Sequence, residues 1–69
     1  MEILHLRDEY IKLGQALKAA GLVGSGVEAK IVIQDGHVKV NGELDTRRGK
    51  KLVAGDKVEY NGNIIKIEM

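Results

Sequence analysis

Cysteine, proline, phenylalanine and tryptophan are all missing from this 69-residue chain, and each absence narrows what it can be. Without Cys there are no disulfide staples and no Cys-ligated zinc. With two Tyr as the only aromatics, the chain has no platform for stacking successive single-stranded bases. No segment approaches the roughly 20 apolar residues of a membrane helix. Glu2, His5 and Arg7 leave no room for a secretory hydrophobic region. The expectation is a soluble, cytoplasmic protein without membrane association or cofactor.

The length allows one domain, residues 1–69, burying roughly 60% of the surface that the unfolded chain exposes. Leu, Ile and Val supply most of the 43% hydrophobic content, so the core is small and aliphatic. Net charge is only +1, but its distribution is uneven. Glu2, Asp8 and Glu9 lie early, whereas Arg47, Arg48, Lys50 and Lys51 form a basic cluster.

With no Pro, nine Gly supply the punctuation. After a short strand at Glu2–Leu6, Asp8 is placed to cap a helix running from about Glu9 to Ala20, with Tyr10, Leu13, Leu17 and Ala20 on one stripe. Gly21 closes it. Gly14 within it costs about 1 kcal/mol relative to Ala, which points to a close backbone approach by a neighbour. Ser25 and Glu28 stand at capping-box spacing before a second helix, and Gly36 stands where its terminal glycine belongs. Its middle competes: Val27, Ala29, Ile31 and Ile33 alternate as in a strand. The ends favour the helix.

From His37 the pattern has period two, and Asn41-Gly42 signals a hairpin. A strict two-residue turn would set Glu43 rather than Leu44 on the face of Val40. A bulge or three-residue loop is therefore expected, bringing Leu44 inside with Val38 and Val40. A second hairpin spans Lys57–Tyr60 and Ile64–Glu68 around Asn61-Gly62-Asn63, with Val58, Tyr60, Ile65 and Ile67 in the core. The fold class is α+β: two helices packed on a small antiparallel sheet of hairpins.

No catalytic constellation emerges. Ser25 is better explained as a helix cap than as a nucleophile served by His5 or His37, and the two His lack companions for a metal site. Glu43 and Asp45 read as solvated rim charges rather than a glycosidase pair. Gly24-Ser25-Gly26 matches a dinucleotide-binding turn only loosely, since a helix precedes it where that motif needs a strand. What remains is a helix N-terminus able to receive an anion near Ser25 and Gly26.

The same residues carry a family resemblance. Lys12-Leu13, then Ser25, Ala29 and Lys30, then Gly36, Val38, Val40 and Asn41-Gly42 resemble the RNA-binding domain of the ribosomal protein S-four type, or alpha-L motif, over about residues 10–60. That family carries Arg-Leu-Asp in its first helix, Ser-Arg-x-x-Ala-Arg opening its second, and Gly-x-Val-x-Val-Asn-Gly in its hairpin. Two positions depart from it: Gly14 stands where the family has Asp, and Gly26 where it has Arg. Short bacterial members without a fused enzyme domain look most like this chain.

The resemblance implies non-enzymatic binding of structured RNA, ribosomal or transfer RNA, in translation or RNA processing. The candidate RNA contacts are Lys12, Ser25, Lys30, Lys39, Arg47, Arg48, Lys50 and Lys51. Recognition would rest on backbone and shape. A second reading is a protein-interaction adaptor on the ribosome or on an RNA enzyme. A third, a ubiquitin-like carrier, fits poorly because the chain ends Ile67-Glu68-Met69 rather than Gly-Gly.

Overall fold

Seven strands and two helices occupy the 69 residues, all of which are described by the computed structural model. In chain order they are β1 (Glu2–His5), β2 (Ile11–Lys12), α1 (Leu13–Ala19), α2 (Gly26–Gln34), β3 (Val38–Val40), β4 (Glu43–Leu44), β5 (Lys51–Leu52), β6 (Lys57–Tyr60) and β7 (Asn63–Glu68). Five strands form the main sheet in the order β1-β7-β6-β3-β4, and β2 with β5 forms a separate antiparallel ribbon. The α+β reading holds. One pair departs from the expected antiparallel sheet, because β1 runs parallel to β7, with Glu2 opposite Ile65 and His5 opposite Glu68. This pairing joins the two ends of the chain, so no turn motif announces it.

The second helix wins over the strand alternative because both its ends are fixed. Ser25 Oγ accepts from the Glu28 N–H at 3.2 Å, and the Glu28 carboxylate accepts from the Gly24 N–H at 2.6 Å. This is a capping box displaced by one residue. At the other end Gly36 takes φ +82°, and the His37 and Gly36 amides return to the carbonyls of Val32 and Ile33. The helix also splits the alternating pattern. Ala29 and Ile33, four apart, are fully buried, while Val27 and Ile31, also four apart, face out.

The first helix starts at Leu13, four residues later than expected, and Asp8 does not cap it. Ile11 and Lys12 instead pair with Leu52 and Lys51. The first two amides of α1, on Leu13 and Gly14, donate to the carbonyls of Lys50 and Arg48 at 2.8 and 3.1 Å. Gln15 Oε1 accepts from the Lys12 N–H at 3.2 Å. A loop from the far side of the chain thus caps α1, and only the Gly14 signal hinted at it. A Cβ on Gly14 would sit 3.0 Å from Arg48 Cγ, so this close approach is real.

The hairpin expectation needs one correction. Asn41 and Gly42 take φ +53° and +83° in a strict two-residue turn, pairing Val40 with Glu43. No bulge intervenes, so Leu44 lies opposite Lys39 and is exposed rather than inside. Asn61 and Gly62 make the matching turn between β6 and β7, with Tyr60 opposite Asn63. Twelve apolar side chains make the core, among them Leu13, Leu17, Ile33, Val38, Val58, Leu52, Ile65 and Ile67, each with no accessible surface. Tyr60 packs against this core from its edge, half-buried. Ala16 and Ala29 are also fully buried, and side chains that small let α1 and α2 lie close together. No helix is long and apolar enough to cross a membrane.

Candidate nucleic-acid interface

Where α1 and the start of α2 meet the loop before β5, a groove of about 770 Å³ opens to solvent. Lys12 and Lys18 come from α1 and its cap, Ser25 and Lys30 from α2 and its cap, and Arg48 from the loop. Four cations therefore line one groove, and no carboxylate lines it. None of the four takes part in an ion pair within the chain, whose only two join Arg47 to Asp45 and Lys66 to Glu68.

The two helix N-termini differ in what they leave free. Those of α1 are consumed by the Arg48 and Lys50 carbonyls. In α2 the Glu28 amide goes to Ser25 Oγ, whereas the Gly26 and Val27 amides find no acceptor in the chain. The hydroxyl proton of Ser25 also remains available for donation, since its oxygen serves only as an acceptor. Free amides and a positive dipole end thus face the same groove as the cations.

Of the residues expected from sequence, Lys12, Ser25, Lys30 and Arg48 come together here. Lys18 joins them unexpected. Its signal is its place four residues after Gly14 and three after Gln15, on the groove side of α1. The other expected cations are elsewhere. Lys39 lies on the exposed face of β3, opposite Leu44 on one side and Glu59 on the other. Lys50 is half-buried and lines a separate hollow of about 310 Å³ with Asp45 and Arg47. Lys51 holds its ammonium 4.8 Å from the centre of the Tyr10 ring, a cation–π contact.

Arg47 is tied down. Its Nε and Nη2 donate to the two oxygens of Asp45 at 3.1 and 2.8 Å, and its backbone N–H donates to Oδ1 at 2.9 Å. Asp45 is the one buried charged residue, 8% exposed, rather than a solvated rim charge. The Arg47 side-chain hydrogen bonds hold its carboxyl below the usual carboxylate range, outweighing the opposing effect of burial.

A model of the S4 domain matches residues 4–68. The chain belongs to the S4 domain family. It is similar to "Putative RNA-binding protein YbcJ" of Escherichia coli (strain K12), 40% identical over 58 residues that cover 84% of this chain and 83% of that protein. It is also similar to "Probable ribosome maturation protein RlbA" of Bacillus subtilis (strain 168), 50% identical over 54 residues, covering 78% and 76%. The solution structure of Escherichia coli YbcJ, described as revealing an alfaL motif involved in RNA binding, superposes with a TM-score of 0.77 at 36% identity. That match covers 100% of this chain and 89% of the other. Against the S4 domain pattern, the two departures acquire a common location. Gly14 and Gly26 line the same groove.

Proposed function

We propose that this S4 domain protein binds structured RNA without catalysing a reaction, holding backbone phosphates in the groove between α1, α2 and the loop at Arg48. The observation that carries this reading is the convergence of Lys12, Lys18, Lys30 and Arg48 on a groove that has free α2 amides and no carboxylate. Phosphates would sit among the cations, with Ser25 and the Gly26 amide donating to their oxygens. The names carried by YbcJ and RlbA support RNA, and ribosomal RNA or a ribosome precursor in particular, as the partner class.

Each cation engaged with a phosphate releases a counterion, so log affinity falls linearly with log salt. The test is anisotropy of a labelled structured RNA across a salt series. The variant replacing Lys12, Lys18, Lys30 and Arg48 with Ala should lose at least about a hundredfold in affinity at low salt and show a much flatter slope. All four side chains are solvent-facing, so circular dichroism should show the fold retained. Equal affinity and slope in the folded variant would overturn the reading.

A further inference from the structure

Beside the cationic groove lies a second hollow of about 520 Å³ with a different chemistry, formed by the segment after β1 against α1. Five of its nine lining residues are hydrophobic, against one of ten in the groove. Leu4 and Leu6 line it together with the ring of Tyr10, which is 39% exposed. His5, Arg7, Asp8 and Gln15 supply donors and acceptors around these apolar groups. Arg7 makes no ion pair within the chain. Gln15 lines both hollows, so the two adjoin across one side chain.

Resting on the RNA-binding reading above, we infer that this hollow receives a single unpaired nucleobase from an RNA whose phosphates lie in the groove. A lone phosphate fits it less well than the groove, because Asp8 faces it and Leu4, Leu6, Ile11 and Ala19 line it beside Tyr10. A nucleobase fits better. It has a flat face to lay on the Tyr10 ring and polar edges for Arg7, Asp8 and Gln15. Lys51 sits over the Tyr10 ring but does not itself line the hollow. The backbone of Lys51 pairs with Lys12, a groove residue, which fixes the ring relative to the phosphate site. One aromatic too few for a stacking platform is enough for one extrahelical base.

The test compares a short hairpin RNA bearing one bulged adenosine with the same hairpin fully paired. The protein should bind the bulged RNA about tenfold more tightly, the effect of stacking one base on an aromatic ring. Tyr10→Leu should remove that preference while leaving affinity for the paired hairpin unchanged, and Tyr10→Phe should keep it. In Tyr60→Phe, where Tyr10 is the sole tyrosine, the bulged RNA should quench tyrosine emission and the paired RNA should not. Equal affinity of the natural protein for the two RNAs, or a preference that survives Tyr10→Leu, overturns the inference while leaving the groove intact. Loss of both RNAs in the Lys12, Lys18, Lys30 and Arg48 variant alone supports the groove. No binding of either RNA by the natural protein overturns both.

Discussion

Arg47 and Arg48 are neighbours in one loop, yet they occupy opposite electrostatic circumstances. Arg47 donates three hydrogen bonds to the buried carboxylate of Asp45, on the side of the loop facing β3 and β4. Arg48 points the other way, into a groove shared with three lysines and no acid. A run of cations in a sequence therefore does not act as one patch. What decides the availability of each is whether the fold brings a carboxylate to it, and here a turn that starts at Arg47, centres on Arg48 and Gly49 and closes with the Lys50 amide on the Arg47 carbonyl separates a structural arginine from a free one.

The sharpest way to break this comparison is to truncate each arginine in turn. Arg48→Ala should weaken structured-RNA binding by about tenfold and reduce the salt slope by about one. Arg47→Ala should change affinity less than about twofold, because its charge is already compensated by Asp45. Anisotropy titrations of the two variants side by side check this. Equal losses would mean that the Asp45 pair opens on binding.

Two glycines allow the comparison to be sharpened from the groove side. Gly14→Asp would place a carboxylate against Arg48, putting it in the position of Arg47. The new Cβ would also meet Arg48 Cγ at 3.0 Å and displace that flexible side chain. Affinity should fall by roughly fivefold to tenfold at low salt, and less at high salt, where screening weakens the new charge. Gly26→Arg acts in reverse. A Cβ there meets nothing within 4 Å and its φ is not positive, so the substitution fits without strain. It should tighten binding by a few-fold and steepen the salt slope by about one. A Gly26→Arg protein that binds no better would show that phosphates do not reach the α2 N-terminus.

Much of this arrangement was legible in the residues, and what was missed has physical causes. Ser25, Glu28, Gly36 and the two Asn-Gly turns carry their backbone conformations in their own chemistry, so α2 and both hairpins could be placed. The start of α1 could not, because its cap is not a side chain nearby but the carbonyls of Arg48 and Lys50, more than thirty residues on. Lys18 is an isolated surface lysine in the sequence, and only the packing of α1 beside α2 and the Arg48 loop puts it in the groove. The parallel β1–β7 pair is equally non-local. Leu44 misled for another reason: an apolar residue was assumed to seek the core, whereas a two-residue turn fixed the register and left it outside. The split of the basic cluster depended on the burial of Asp45, which sequence position alone does not reveal.

The smallest expected effect concerns the paired side of the comparison and follows from acid. The Asp45 carboxyl is held below its ordinary value of 3.8 chiefly by the Arg47 side-chain hydrogen bonds, so ionised Asp45 stabilises the fold. A carboxylate with a depressed pKa contributes stability that is fully present above the unfolded value and fades as pH falls through the folded one. The contribution should therefore be constant from pH 7 down to about pH 5 and vanish at more acidic pH. Because Arg47 is largely exposed, with 68% of its side chain accessible, screening keeps the effect below about 1 kcal/mol. Asp45→Asn retains an oxygen for the Arg47 backbone N–H but removes the charge. Urea midpoints measured at pH 7 and at pH 3 should fall further in the natural protein than in Asp45→Asn. At pH 7 that variant should bind structured RNA as tightly as the natural protein, since Asp45 and Arg47 line a hollow separate from the groove. If its acid limb instead matches that of the natural protein, the Asp45 pair holds no net stability, and the contrast between the two arginines is one of geometry alone.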